Sequence, residues 1–157
     1  MLLRSAPAVP LILLLVAACS SQSPSPRGTV PPPDVAEPPA DASHTATGLA
    51  YRILSKGPRG EHPSPHARVL VNYTGWTTDG TVIDGAPIGG DPASVDLGRA
   101  MPGWREGLAL MAPGDKYRFW IPPALAYAGQ PGKPQGMLVY DIYLVRFRGM
   151  IDVGRVT

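Results

Sequence analysis

The chain has 157 residues, with 14 lysine and arginine residues against 12 aspartate and glutamate residues and a formal net charge of +2. This near balance gives no electrostatic reason to expect binding to nucleic acid or to a strongly acidic partner. A single cysteine excludes an intramolecular disulfide, so any folded domain must be stabilised by packing.

An export leader is predicted at the amino terminus. Arg4 supplies one positive charge, and the apolar run that follows is too short to span a bilayer. Residues 16–19, Val-Ala-Ala-Cys, resemble the lipobox of bacterial lipoproteins, which implies cleavage before Cys19 and lipidation of its thiol. We therefore expect a signal peptide over residues 1–18 and a lipid anchor in a membrane. The alternatives are an ordinary secretory signal and a free thiol.

The residue after the cysteine bears on the destination of such a lipoprotein. Ser20 stands where the enterobacterial sorting rule would favour aspartate for retention in the inner membrane. The resemblance therefore implies a location in the cell envelope, anchored by lipid to the outer membrane and facing the periplasm.

Residues 19–46 are predicted to form the lipidated cysteine and a disordered, proline-rich tether. This segment has almost no bulky apolar residue, so it cannot bury enough surface to fold. Its prolines favour polyproline II, a semi-rigid spacer of about 3.1 Å per residue. The alternative is a docking site for a partner that binds proline-rich segments.

One domain is expected over residues 47–157, which is long enough for a single core. Apolar residues alternating with a period of two predict three strands. The apolar faces are Val69, Val71 and Tyr73; Tyr117, Phe119 and Ile121; and Leu138, Tyr140, Ile142 and Leu144. Weaker strand patterns occur at residues 51–54 and 95–97, and Asp79-Gly80 predicts a turn.

Only one segment has helical periodicity. Trp104, Leu108 and Met111 lie at i, i+4 and i+7, after Pro102 and before Pro113. The sequence therefore predicts an α+β domain in which one short amphipathic helix lies on a mostly antiparallel sheet. Because the tether has no helical periodicity, no dimerisation helix is expected and the protein is predicted to be a monomer.

Six sequence blocks follow one another through this domain. They are Val71-Asn72-Tyr73-Thr74-Gly75, Asp79-Gly80-Thr81-Val82-Ile83-Asp84, Met101-Pro102-Gly103-Trp104-Arg105-Glu106-Gly107-Leu108, Gly114-Asp115-Lys116, Ile121-Pro122-Pro123 with Ala126-Tyr127-Ala128-Gly129, and Leu138-Val139-Tyr140-Asp141. Their order and spacing closely resemble the FKBP family of peptidyl-prolyl cis-trans isomerases. The resemblance implies an FKBP-like antiparallel half-barrel sheet wrapped around the helix, with a shallow aromatic pocket for a proline ring.

The activity implied by the resemblance is rotation about the peptide bond before proline in polypeptide substrates. This rotation has a barrier of ~18–20 kcal/mol and breaks no covalent bond, so neither a cofactor nor a metal is expected. The implied catalytic residues are Tyr73, Asp84 and Tyr127, and the implied substrate-binding residues are Ile83, Met101, Trp104 and Tyr140. Trp104 would form the floor, and the Met101 backbone N–H and the Tyr127 hydroxyl would bind substrate carbonyls. Asp84 would hold Tyr73 or another polar group in place.

Taken without the resemblance, these residues have simpler explanations. A tryptophan at helical spacing is more often part of the core, and Tyr73 and Tyr140 could be core aromatics whose hydroxyls reach the surface. Asp84 could end a strand or form a turn.

Several positions depart from the family pattern. Ile83 and Ala93 stand where many members have aromatic residues, Met101 replaces a β-branched residue, and the loop at residues 129–136 is shortened. We therefore expect an intact fold with a wider pocket, activity on proline peptides and weak binding of macrolides. The alternative functions are a chaperone or binding module with little or no turnover, and a structural envelope lipoprotein.

Overall fold

The computed structural model describes residues 30–149, so the predicted signal peptide and Cys19 lie outside the described residues. In the described part, one seven-stranded antiparallel sheet packs against the helix α1 (Pro102–Leu108). The strands are β1 (Ser43–His44), β2 (Ala50–Ser55), β3 (Arg68–Thr77), β4 (Val82–Ala86), β5 (Ala93–Asp96), β6 (Lys116–Ile121) and β7 (Leu138–Arg148). The predicted α+β class is confirmed. Among residues 30–149, no helix has the length and apolar character needed to cross a bilayer.

Strand β3 pairs with three other strands of the sheet, β4, β5 and β7. The strand order is β1-β2-β6-β7-β3-β4, and β5 also pairs with β3. Along one edge β3 pairs with β7 over its full length, while its other edge is shared by β5 near its start and β4 near its end. Side chains from three strands therefore meet around the second half of β3.

The three alternating patterns predicted as strands all turn their apolar faces to the same side of the sheet. This inner face carries side chains that are at most 2% exposed in β6 and β7. They pack with the helix residues Trp104 and Leu108 in one hydrophobic core. Tyr73 lies partly buried at the margin of this core, so the aromatic side chain that ends the β3 pattern remains accessible.

The helix approaches the sheet through two glycines. A β-carbon at Gly103 would lie 2.4 Å from Ile121 Cγ2, and one at Gly107 would lie 2.7 Å from the Phe119 ring. Such contacts are far shorter than carbon atoms tolerate, so only glycine allows α1 to lie this close to β6. The close approach fixes the height of Trp104 above the inner face.

Helix α1 is shorter than its apolar pattern predicts. It ends at Leu108, and the next turn is closed by bonds to the third residue back, from Leu110 N–H to the Gly107 carbonyl and from Met111 N–H to the Leu108 carbonyl, both 3.1 Å. This tighter turn is common at helix ends. Met111 is fully buried even though it lies outside the helix, which explains why the pattern overextends.

The structure differs from the predicted tether over residues 30–46, which we call the N-terminal strap. The strap packs on the outer face of the sheet and contributes β1. Val35 and Ala42 of the strap contact a cluster on that face that consists of Ala50, Trp76, Trp120 and Val139. Folded chain therefore begins well before residue 47.

Polar contacts of Asp34 explain how a strap with so few apolar residues is held. Its backbone carbonyl accepts a hydrogen bond from Trp120 Nε1 at 2.8 Å, and its carboxylate accepts one from Arg118 Nη1 at 2.6 Å. Arg118 also forms a two-point ion pair with Asp141, at 2.6 and 2.9 Å. The strap is thus bound mainly through partners that are buried on the sheet. The composition of the strap alone does not indicate these partners.

Candidate functional site

Trp104 lies on the first turn of α1, where its side chain faces the inner surface of the sheet and is 5% exposed. Its ring centroid is 4.9 Å from that of Tyr73 and 5.3 Å from that of Tyr140, and both pairs meet edge to face. This arrangement is the one that aromatic quadrupoles favour. The three rings form the floor and two walls of a cavity, which we call the aromatic cavity.

Gly75 connects the residues around this cavity. It is in register with Asp84 of β4 on one side and with Tyr140 of β7 on the other. Because Gly75 has no side chain, the Tyr140 ring can lie across β3 and reach Trp104. Gly75 belongs to one of the sequence blocks, but its packing role had no signal in the strand pattern.

The hydroxyl of Tyr73 donates a hydrogen bond to Asp84 Oδ2 at 2.8 Å. The other carboxylate oxygen of Asp84 accepts the backbone N–H of Gly85 at 2.8 Å. Burial and, after it, the Asp84 carboxylate raise the pKa of Tyr73, so the hydroxyl stays protonated and continues to donate. The ring of Tyr73 is therefore fixed at both ends, by Trp104 and by Asp84.

Several donors around the aromatic cavity have no partner. Within residues 30–149, the Met101 N–H and the Tyr127 hydroxyl make no hydrogen bond, and the indole N–H of Trp104 is buried without one. Burial, followed by the Asp84 charge, raises the pKa of Tyr127, and burial is also the main cause of the raised pKa of Tyr140. The unpaired Met101 N–H and Tyr127 hydroxyl are thus neutral donors that a ligand in the cavity could use.

The residues that line the aromatic cavity are Tyr73, Asp84, Val95, Arg99, Ala100, Met101, Trp104, Tyr127, Lys133 and Tyr140. The structure brings together all the predicted catalytic and substrate-binding residues except Ile83, which packs on the hydrophobic core and does not line the cavity. Four lining residues had no predicted role, namely Val95, Arg99, Ala100 and Lys133. All of them except Val95 lie in or beside loops, and the course of a loop cannot be predicted from periodicity. In the described chain, no group of three or more His, Cys, Asp or Glu side chains could hold a metal ion.

Arg105 fixes the loop that forms one wall. Its guanidinium donates to the carbonyl oxygens of Leu97, Gly98 and Ala100 at 3.1 to 3.3 Å. These bonds hold the backbone that leads into Met101, which lines the cavity and whose N–H has no hydrogen-bond partner among residues 30–149. Arg105 is a positioning residue that the sequence reasoning missed, although it directly follows Trp104 in the motif.

Comparison with known proteins agrees with this geometry. Residues 59–145 match the family of FKBP-type peptidyl-prolyl cis-trans isomerases. The chain is 41% identical over 104 residues to the FKBP-type isomerase FkpA of Escherichia coli K12, a match that covers 64% of this chain and 38% of that protein. It is 37% identical over 103 residues to the outer membrane protein MIP of Legionella longbeachae, covering 63% and 44%.

The fold comparison leads to the same family. The crystal structure of FkpA from Escherichia coli superposes with a TM-score of 0.64 and 38% sequence identity, covering 71% of this chain and 53% of the other. The chain spans about two fifths of the length of the first curated relatives that it matches. The family match, the fold and the cavity together show that this chain belongs to the FKBP-type peptidyl-prolyl cis-trans isomerase family.

Proposed function

We propose that the protein is a peptidyl-prolyl cis-trans isomerase that assists the folding of exported polypeptides. The observation that carries this proposal is the aromatic cavity with Trp104 as its floor and two unpaired donors, the Met101 N–H and the Tyr127 hydroxyl, beside it. A proline ring is an apolar group that fits against an aromatic face. The carbonyls that flank it in a polypeptide are the acceptors that the two donors lack.

The chemistry required of this site is stabilisation of a twisted peptide bond. In the twisted state the carbonyl loses resonance with the nitrogen, so a site that favours this state over both planar forms accelerates rotation. Contact between the proline ring and Trp104 would exclude water from the peptide group. The Met101 and Tyr127 donors would hold the chain on either side of the bond, so that rotation occurs within a fixed frame.

Tyr73 and Asp84 have a supporting role in this proposal. Their hydrogen bond of 2.8 Å keeps the Tyr73 ring upright against Trp104, where it forms a wall of the cavity. Tyr140 forms the neighbouring wall. With Ile83 packed on the core, Asp84 is the one residue of β4 that lines the cavity, so we expect a shallow site.

We also propose that the protein is a monomer in the cell envelope, anchored to the outer membrane through lipid on Cys19 and facing the periplasm. The lipobox-like sequence supports the anchor, with residues 1–18 as the signal peptide. The name of the Legionella relative supports a location in the envelope. Metabolic labelling with a fatty acid tests the anchor, because Cys19→Ser must abolish incorporation of the label.

The test of the isomerase function follows cis to trans conversion of a short peptide containing one proline, by exchange NMR, with the full chain. We expect acceleration by the wild type and loss of most of it in Trp104→Ala, with Trp104→Phe as a milder variant. Tyr127→Phe should lower kcat/KM by roughly threefold to tenfold, the cost of one hydrogen bond. Tyr143→Phe is the matched control, since Tyr143 lies in β7 outside the aromatic cavity.

A binding module without turnover is the second candidate, favoured by the position of Ile83 and by the small Ala93 side chain in β5, which leave the cavity without further aromatic walls. A folded wild type that binds the peptide but accelerates no proline peptide would overturn the isomerase proposal in favour of this one.

A further inference from the structure

A second cavity adjoins the aromatic cavity. This side cavity, of about 300 Å³, is lined by Arg99, Ala100, Met101, Pro102, Ala126, Tyr127, Gln130 and Lys133. The two cavities share five lining residues, which are Arg99, Ala100, Met101, Tyr127 and Lys133. A polypeptide whose proline sits on Trp104 therefore has a second recess within reach of a neighbouring side chain.

The side cavity is positively charged. Arg99 and Lys133 are the only charged residues that line it, and no carboxylate among residues 30–149 forms an ion pair with either. Both side chains are exposed, so a ligand can reach them, and water screens part of their charge. Asp84, the one carboxylate that lines the aromatic cavity, does not line the side cavity, and its oxygens accept hydrogen bonds from Tyr73 and Gly85.

Lys133 is held in position by its surroundings. Its Nζ lies 5.3 Å from the centroid of the Tyr127 ring, a cation–π distance. The short loop that carries it is folded back by Gln135, whose side-chain amide donates to the carbonyls of Lys133 at 2.7 Å and Gln130 at 2.9 Å. The loop thus places a cation at the boundary of both cavities.

We propose that the side cavity selects polypeptides with aspartate or glutamate within two residues of the isomerised proline. This inference rests on the proposed isomerase function and names its substrate class. Adjacent Cα atoms are 3.8 Å apart, so one or two residues carry the chain from the aromatic cavity to the adjoining recess. An acidic side chain there meets Arg99 and Lys133 without having to displace an existing ion pair.

The experiment compares peptides that differ only in glutamate against glutamine, placed in turn at each of the two positions before and after the proline. For the full chain we measure kcat/KM by exchange NMR and Kd by titration, at low salt and at high salt. At the best position we expect a Glu to Gln preference of about twofold to fivefold at low salt, the size of exposed ion pairs, and high salt should reduce this preference.

The double variant Arg99→Gln with Lys133→Gln should bring the preference close to one. The matched control is Arg59→Gln with Arg146→Gln, which removes the same charge from exposed residues outside both cavities and should keep the preference. A preference that survives in the Arg99 and Lys133 variant, or is lost equally in the control, contradicts the assignment.

The two proposals fail in different ways. If the glutamine peptides are isomerised but no position shows a preference for glutamate, the side-cavity inference is wrong and the isomerase function stands. If no peptide is isomerised, the isomerase function is wrong. The Kd values of the glutamate and glutamine peptides then test the side-cavity inference, because equal affinities for the two peptides overturn it.

Discussion

The ring of Tyr140 lies directly against the Cα of Gly75 in the neighbouring strand. A β-carbon at residue 75 would lie 2.3 Å from Tyr140 Cε1, well inside the contact distance of two carbon atoms. The two residues are register partners in β3 and β7. Because the same Tyr140 ring meets Trp104 edge to face at 5.3 Å, Gly75 sets the position of one wall of the aromatic cavity.

Gly75→Ala should move that wall. We expect the Tyr140 ring to leave its place beside Trp104, with a loss of about 1–3 kcal/mol in the free energy of unfolding from overpacking. Peptide affinity should fall, and the NMR signals of Trp104 should shift because the environment of its ring changes. Gly60→Ala is the control, since its nearest contact would be an ordinary 3.7 Å. An unchanged Trp104 environment in Gly75→Ala would contradict this account.

The contact between Tyr73 and Asp84 can be measured with a double-mutant cycle of Tyr73→Phe and Asp84→Asn. Because the pair is solvent-exposed, we expect a coupling of about 0.5–1 kcal/mol in the free energy of unfolding. The same cycle in kcat/KM should show that each single variant lowers the rate about as much as the double variant. Additive losses would mean that the two residues act independently.

The pH dependence of catalysis follows from the tyrosines of the cavity. Burial raises the pKa of Tyr73 and of Tyr140, and burial with the Asp84 charge raises that of Tyr127, so all three hydroxyls stay protonated above their ordinary range. We expect kcat/KM to be constant between about pH 7 and pH 9, since a free tyrosine titrates only near 10. A fall in kcat/KM within this window would show that one of the hydroxyls ionises early.

Asp115, which does not line the aromatic cavity, is expected to contribute to the free energy of unfolding. Its buried carboxylate accepts hydrogen bonds from the N–H groups of Ala112 and Gly57, at 3.0 and 2.8 Å, and pairs with Lys56 at 3.1 Å. Burial alone would raise its pKa, but these donors outweigh burial and lower it. Asp115→Asn should therefore cost about 2–4 kcal/mol at pH 7 in chemical denaturation.

The same shift determines how stability depends on pH. A carboxylate whose pKa is lowered by folding stabilises the protein above its unfolded pKa of about 3.9, and this stabilisation is lost as the pH falls through the folded value. Wild type should lose stability as the pH drops from about 5 toward 2, and Asp115→Asn should lose less. Parallel curves for the two proteins would show that the carboxylate is not the source.

The N-terminal strap should be part of the stable domain. A chain that begins at Thr47 would expose Trp120 and leave its indole N–H and Arg118 without Asp34. We expect it to unfold at lower denaturant concentration and its tryptophan emission to shift to the red. Asp34→Ala should reproduce part of the loss, about 1–3 kcal/mol, whereas Glu37→Ala, an exposed residue of the strap, should be neutral.

The sheet was predictable because its strands bury one face. In β6, Tyr117, Phe119 and Ile121 are apolar at every second position, and this spacing alone identifies the inner face. The strap was not predictable in this way, because the chain there supplies little apolar surface of its own. The indication lay instead in Trp120 and Trp76 on the outer face of the sheet. These large apolar side chains need another segment to pack against them, and the strap is that segment.

The candidate site was predictable only to the extent that the sequence blocks carry it. The blocks contain Trp104, Tyr73 and Tyr140, and the family resemblance that the blocks carry implied one pocket for all three, which the structure brings together. Arg99 and Lys133 lie in segments whose course depends on hydrogen bonds made by Arg105 and Gln135, which have no periodic pattern.

The packed strap also limits how far the domain could stand from a membrane under the proposed lipid anchor on Cys19. A spacer over all of residues 20–46 would span about 84 Å at the polyproline II rise. Because residues 30–46 lie on the sheet, they leave ten residues for a spacer, which corresponds to about 31 Å at the same rise. The strap covers the outer face and the aromatic cavity opens on the inner one, so under this proposal client chains would bind near the membrane, on the face of the sheet opposite the strap.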